Sequence, residues 1–371
     1  MEFKCENCGA VLELDDCLVL WDHEGRASES HFFCDDECAV ASEDWFRCDC
    51  CHDLRPAMDS EYDHLGEHVC SRCVDDYYRW CDGCGELFHE EEGGWSEEDD
   101  CWYCDSCTPV HSIQSYGYRP DPEFDGVQDF GPFLGVELEV DDGRDKHQAA
   151  MEVQEAARGR LYCKHDGSLN DGYEIVSHPA TLERHIQSGI WAEAVRCSLA
   201  HVFRSHDTDT SGLHIHFSRS FFGERDTDQA DACYYRLMVV FQSLECELER
   251  FARRRRSRWA RFSSNDYKSF DAPPGEKGRL VKDQEYGDRY KALNFNNRHT
   301  LEVRIFRGSL NLETLYATMA LVDGLARLAR SWTTRAAEEA TWPAVRDFIA
   351  ATCAEPEARA AFISYCDRRN L

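Results

Sequence analysis

Long apolar runs are missing from this sequence. No stretch approaches the ~18 to 20 apolar residues that cross a bilayer. The opening Met1-Glu2-Phe3-Lys4-Cys5 also lacks the basic and then apolar run of a secretory signal, so a reducing, cytoplasmic setting is expected. Positive charge is scarce where cysteine is dense. Residues 1–110 carry 31 Asp and Glu against 6 Lys and Arg, net −25, out of −30 for all 371 residues. Neutralising phosphates takes Lys and Arg, so charge argues against a nucleic-acid partner for this part. Ser-His-Asp, nucleophilic-cysteine and P-loop patterns are absent as well.

Fifteen of the 21 cysteines lie before residue 110, nearly all in C-x-x-C or C-x-x-x-C pairs. They fall into three sets of four: Cys5, Cys8, Cys34 and Cys38; Cys48, Cys51, Cys70 and Cys73; Cys81, Cys84, Cys104 and Cys107. The last two sets form a tandem repeat with a period near 33 residues. Knuckles separated by 18 or 19 residues suit tetrahedral four-thiolate zinc sites closing small hairpin-rich modules. Cys17, Cys50 and Cys101 are spare, and His23, His31, His52, His64, His68 and His89 are possible substitutes, so the ligand sets stay open on sequence alone. Four protein ligands leave no open position, which makes the ions structural, and a module this small and acidic should not fold without them. Its field fits docking of a protein, a basic one above all.

The rest of the chain is organised around Gly135-Val136-Glu137-Leu138-Glu139-Val140. Side chains of a strand alternate between faces, so Glu137 and Glu139 stand together above an apolar underside. The design recurs in Leu213-His214-Ile215-His216-Phe217 and in Leu301-Glu302-Val303-Arg304-Ile305. Three strands with carboxylate, imidazole and guanidinium groups on one face resemble the wall of an active site built on a sheet. Around them, residues 111–131 read as an extended linker whose aromatics lie against the second domain, with helices expected over Asp145 to Arg158, Thr181 to Phe203 and Asp226 to about Arg256. Two short strands flank an Asn170-Asp171-Gly172 turn, and further helices run from Leu312 to Ser331 and from Thr334 to the C-terminus. Short strands between long helices predict an α+β fold, a curved, mostly antiparallel sheet backed by helices, over 132–371, joined to the zinc module of 1–110.

Five blocks between residues 130 and 310 resemble the amidoligases of the glutamine-synthetase-like superfamily, the carboxylate-amine ligases that include glutamate-cysteine ligase. They are Phe133-Leu134-Gly135-Val136-Glu137-Leu138-Glu139; Lys164-His165-Asp166-Gly167-Ser168-Leu169 with Tyr173 to Pro179; Ser211 to His216; Arg289-Tyr290 with Leu293-Asn294; and Thr300 to Gly308. The resemblance implies that Glu137, Glu139, Asp166, Glu174, His214 and Glu302 hold Mg²⁺ or Mn²⁺. It implies that Arg289 and Arg307 contact ATP phosphates, that Asn294 lines the nucleotide site and that Arg304 stabilises the transferring phosphoryl group. Clustered carboxylates need compensating cations, and hard divalent ions with oxygen ligands suit them. The chemistry implied is an ATP-dependent amide ligation through an acyl phosphate, with Asp166 a candidate base, on a peptide, protein or amino-acid-like substrate recruited by the zinc module. His216 is read as a ligand or a hydrogen-bonded histidine, Lys164 and His165 as loop surface or substrate contacts. The run Arg253 to Arg256 with Arg258 and Arg261 closes a helix and is read as a solvated or interdomain face, with substrate or phosphate binding as the alternative. Two competing readings are an inactive protein-binding adaptor and a phosphotransferase on the same fold.

Overall fold

In the computed structural model, which describes residues 3–13, 17–21, 30–96, 100–107, 112–128, 131–208, 210–254 and 260–371, the chain divides into two compact units, Met1–His111 and Ser112–Leu371. Among the described residues no helix is long and apolar enough to cross a membrane.

The first unit repeats one plan three times. A small hairpin carries the first cysteine pair in its turn, a second hairpin follows, and the second pair sits where that hairpin ends. The hairpins pair Phe3–Lys4 with Val11–Leu12 and Leu18–Trp21 with Ser30–Phe33, then Trp45–Arg47 with Leu54–Pro56 and Ser60–Tyr62 with His68–Cys70. The third copy pairs Tyr78–Trp80 with Leu87–His89 and Gly93–Ser96 with Cys101–Cys104. The repeat thus extends to the first set, where 25 residues between knuckles had hidden it. Strands of two to four residues cannot bury a shared core, and the unit's covered side chains form three small clusters, each with cysteines in it.

The second unit is built on six strands, β1 (Leu134–Val140), β2 (Leu161–Lys164), β3 (Tyr173–Ser177), β4 (Gly212–Ser218), β5 (Leu293–Asn294) and β6 (Thr300–Arg307), in the spatial order β2-β3-β1-β4-β6-β5. Every pairing is antiparallel. With helix, strand and a cysteine-rich N-terminal part, the fold is α+β. One face is apolar: Leu134, Val136, Leu138, Val140, Ile175, Leu213, Ile215 and Leu301 are fully covered. Each such side chain contributes on the order of 1.5–3 kcal/mol by leaving water. Helices α1 (Lys146–Ala157), α5 (Glu245–Ala252) and α7 (Leu312–Ser331) pack on strands β2, β6 and β4. Helix α7 begins where Asn311 Oδ1 accepts from Thr314 N–H at 2.9 Å, which satisfies one free donor of its first turn. Together these elements form a single continuous core.

Several expected helices are divided. The stretch 181–203 is α2 (Leu182–Gln187) and α3 (Ile190–Ala200), separated by Gly189 at φ +70°, the left-handed conformation that ends a helix. The helix from Asp226 is α4 (Asp228–Ser243), turns at Leu244 into α5, and stops at Arg253, itself left-handed at φ +54°. The C-terminal stretch is α8 (Thr334–Glu338), α9 (Trp342–Thr352) and α10 (Pro356–Asp367), with prolines in the first turns of the last two. Helix α6 (Pro274–Glu285) has no counterpart among the elements expected from the sequence. Residues 112–128, read as linker, belong to the second unit. Gln114 N–H donates to Cys163 C=O, His165 N–H to Gln114 C=O and Asp125 N–H to Pro179 C=O, and Ile113 is in the core.

Candidate functional site

Register brings polar side chains of all six strands to one face of the sheet. Glu137 stands opposite His214, Glu139 opposite Glu174, Glu174 opposite Lys164, and Glu302 opposite both His216 and Asn294. Directly opposed residues lie side by side. Two groups result, Glu137–His214–Glu302 and Glu139–Glu174–His214, each with its ligand atoms within 4.8 Å of one another, and His214 belongs to both.

His214 Nδ1 is 3.5 Å from Glu137 Oε2 and 3.8 Å from Glu302 Oε1, while His216 Nε2 is 3.1 Å from Glu137 Oε1. Asn294 Nδ2 donates to Glu302 Oε2 at 2.8 Å, and Arg304 donates to the other oxygen. Lys164 Nζ lies 3.2 Å from Glu174, and the backbone N–H of Gly212 donates to Glu139. Glu139, Glu174 and Glu302 are no more than 4% exposed, so their charge has to be met from within.

That compensation is uneven. Burial pushes the Glu137 carboxyl up, but the His216 and His214 imidazoles outweigh it and hold the group well below the usual carboxylate range. Glu302 is likewise brought down against burial by His216, Arg304 and His214. At Glu139 burial prevails over His214, aided by the charge of Asp166, and the carboxyl is raised. Glu174 is raised well above its ordinary value by burial and by Glu137, which Lys164 offsets only in part. One end of the face is balanced by imidazole and guanidinium and the other is short of positive charge. A divalent cation with oxygen ligands fits that deficit, and the donor set of four carboxylates and one shared imidazole is the chemistry such an ion takes.

The other expected site residues sit around this cluster. Asp166 is half-buried, joins neither group, and accepts through Oδ1 from the Ser168 N–H and hydroxyl at 2.7 and 2.5 Å. Arg289 donates through Nη1 to Tyr116 Oη at 3.3 Å. Arg307 reaches the polar face through an irregularity. Between strands β4 and β6 the register changes from Ile215↔Val303 to Leu213↔Phe306, so two residues, Arg304 and Ile305, oppose His214 alone. Strict alternation would place Arg307 among Leu301, Val303 and Ile305, whereas the bulge sets it opposite Gly212.

Other residues at the site carry a different sequence signal or none. Arg254, read as part of a solvated face, turns inward: its Nη1 donates to the Arg304 carbonyl at 3.2 Å and its charge acts on Glu139. Arg253 lies over the Tyr365 ring and Arg261 pairs with Asp288, while Arg255, Arg256 and Arg258 fall outside the described residues. Gly212 leaves the room that Arg254 needs, since a Cβ there would stand 3.0 Å from Nη1, 3.2 Å from His214 Nε2 and 3.3 Å from Glu139 Oε2. Asn297 Nδ2 donates to Glu302 at 3.4 Å, and the His216 Nδ1 is 3.2 Å from the Thr300 hydroxyl. The spacing of His214 and His216 is a sequence signal for the second histidine; Arg254 and Asn297 have none, because tertiary packing alone brings them in.

In the first unit the structure brings together Cys5, Cys8, Cys34 and Cys38; Cys48, Cys51, Cys70 and Cys73; and Cys81, Cys84, Cys104 and Cys107. Sulfur separations of 3.5 Å (Cys5–Cys38 and Cys8–Cys34) and 4.0 Å (Cys51–Cys70) are far too long for disulfides, and they match the edge of a tetrahedron with zinc–sulfur bonds of about 2.3 Å. Backbone amides aim at the sulfurs: Cys70 N–H donates to Cys48 Sγ and Cys104 N–H to Cys81 Sγ, both at 3.3 Å. The amide of Cys8 leads in lowering the Cys5 thiol to about 6. Burial opposes the amides at Cys48 and Cys81, which still fall to about 7 and about 6. Their neighbours go the other way, Cys34 and Cys107 pushed up to about 12 chiefly by the adjoining thiols. Four sulfurs this close cannot all ionise without a cation between them, and zinc fits. The spare thiols Cys17, Cys50 and Cys101 belong to none of the sets. His31 pairs with Glu6, His64 stacks on Phe88, His68 stands edge-on to Tyr62, and His23 lies outside the described residues.

No family model matches the chain, and no curated protein matches it. Among solved structures it is similar to a chain of the crystal structure of the complex between the prokaryotic ubiquitin-like protein Pup and its ligase PafA, with a TM-score of 0.29 and 10% identity. The likeness covers 65% of this chain and 62% of that one, so this chain spans less than two thirds of its length.

Proposed function

We propose that the second unit is an ATP-dependent carboxylate-amine ligase of the amidoligase type, with a glutamine-synthetase-like sheet as its catalytic surface. The observation that carries this reading is the pair of acidic groups sharing His214, with Arg304 on the same face. Magnesium or manganese held by Glu137, Glu139, Glu174, His214 and Glu302 would supply charge neutralisation for nucleotide phosphates.

The residues divide the remaining work. Arg304, fixed by its bond to Glu302, presents a guanidinium whose fork is complementary to phosphate oxygens and always charged. Arg289 and Arg307 would bind phosphates further out, and Asn294, anchored on Glu302, would line the nucleotide site. A substrate carboxylate attacks the γ-phosphorus of ATP, ADP leaves, and an amine then displaces phosphate from the acyl phosphate to give an amide. The proton lost by the amine goes to a base, for which Asp166, half-buried at the edge of the cluster, is the candidate. The substrate is a peptide, protein or amino-acid-like molecule, recruited by the first unit with its structural zinc.

The test is purified protein with Mg-ATP and pooled amines and carboxylates. Substrate-dependent ADP together with free phosphate is expected, reduced about 100-fold or more by Glu302→Gln or Arg304→Ala. ADP with a phosphorylated product would make the enzyme a phosphotransferase, and no ADP at all would leave an adaptor.

A further inference from the structure

The acidic unit leaves aromatic rings bare. Tyr62 is 59% exposed and Trp95 is 60% exposed. They occupy the same place in the second and third repeats. Tyr62 lies on strand Ser60–Tyr62 opposite His68, two residues before Cys70, and Trp95 lies on Gly93–Ser96 opposite Trp102, two residues before Cys104. Tyr62 is the solvent end of an aromatic row, and Trp95 stands across the strands from Trp102. His68 stands edge-on to both Tyr62 (4.1 Å) and Phe46 (5.4 Å), and Trp102 is covered and packs towards Phe88.

Exposed carboxylates are close to both places along the chain: Glu61 and Glu67 adjoin Tyr62 and His68, and Glu91 and Asp100 lie just outside the strands that carry Trp95 and Trp102. Elsewhere the chain covers rings with its own cations, as Arg219 does Tyr234 and Lys277 does Tyr235. Among the described residues no lysine or arginine stands over Tyr62 or Trp95. A bare ring in a unit this acidic is matched by a cationic side chain, which gains from the ring face and from the unit's negative field at once. A polyanion is repelled by a net charge of −25 over residues 1–110, and a purely apolar partner would bury those carboxylates unpaired.

We propose that the first unit binds an extended arginine- or lysine-rich segment of a partner protein, with one basic side chain laid on Tyr62 and another on Trp95. This deepens the recruiting role given above and rests on it, but needs nothing of the ligase chemistry.

The experiment uses the full zinc-loaded chain and a labelled synthetic peptide of alternating arginine and serine, followed by fluorescence anisotropy at roughly physiological salt. Its control replaces each arginine by citrulline, which keeps the shape and removes the charge. Binding of the arginine peptide and not of the citrulline peptide is expected. The double variant Tyr62→Ala, Trp95→Ala should bind about tenfold more weakly with unchanged zinc content, and Tyr62→Phe, Trp95→Phe should retain most of the affinity because the rings remain. Unaltered affinity in the zinc-replete double-alanine variant would reduce the surface to undirected charge and overturn the proposal. So would equal binding of the citrulline peptide, or self-association of the chain that the same substitutions abolish, which would assign the rings to a second copy. Turnover is read separately through ADP and phosphate, so a chain that turns over but ignores the peptide loses this inference and keeps the ligase reading.

Discussion

The two units solve the problem of staying folded by different means. The first spreads its covered side chains over three small clusters around cysteines, whereas the second gathers one continuous core behind a six-stranded sheet. In the second, hydrophobic burial is continuous behind the sheet. In the first, strands of two to four residues enclose too little apolar surface, and the metal has to supply the difference. The same contrast governs charge. Crowded thiols in one unit and crowded carboxylates in the other both call for cations, but among the carboxylates of the second stand two imidazoles, a guanidinium and an asparagine.

The comparison breaks most easily at the metal. A strong zinc chelator should unfold the first unit outright, because structural zinc sites are worth on the order of 10 kcal/mol or more each. Calorimetry should then show the transition of the second unit unmoved, and a shift in it would mean that the units do not stand independently. Cys48→Ser should lower the bound zinc by one of the three equivalents expected from the four-cysteine sets.

Next in size is the core. Leu138→Ala, at a fully covered position under the acidic face, should destabilise the second unit by about 3 to 4 kcal/mol and leave zinc binding untouched. A smaller effect belongs to His185. Burial holds its imidazole down at about 4, with Nε2 bonded to the Leu134 carbonyl and Nδ1 accepting from the Trp191 indole. Between pH 6.5 and 4 the unfolded chain binds the extra proton. Stability from this group is therefore complete above pH 6.5 and lost as pH falls towards 4, by up to about 3 kcal/mol at the low end. Unfolding of the second unit in denaturant across that range should show the slope, and His185→Gln should flatten it. Smallest is Gly212→Ala, where the guanidinium of Arg254 must give way by a few tenths of an ångström. A loss of about 1 kcal/mol is expected, with weaker nucleotide binding as the readout that separates a local from a global effect.

How much of this was legible in the sequence also differs between the units. Cysteine spacing needs only local geometry, so the three sets could be written down from their intervals, although the longer gap between Cys8 and Cys34 concealed the first copy of the repeat. Alternation, equally local, told that Glu137 and Glu139, His214 and His216, and Glu302 and Arg304 share a face in each strand. It could not tell which strands are neighbours. Nor does strict alternation account for Arg307, because the paired apolar residues Ile305-Phe306 mark a bulge only once the partner strand is known. Helix periodicity ran straight through Gly189 and Leu244, where the helix is interrupted at no cost to the apolar pattern. Arg254 lay in a basic run whose members part company in space, one turned to the acids and another to Tyr365.

The contact between Tyr116 and Arg289 joins the flanks of opposite edges of the sheet: Tyr116 follows the segment beside strand β2, and Arg289 precedes strand β5. Laid flat, six strands would hold those edges about 24 Å apart, so the sheet and its flanks bend towards the wet side. An anion that recruits Arg289 therefore meets a guanidinium with one of its five N–H donors already committed to a phenol from the far edge, which fixes where the remaining donors can point.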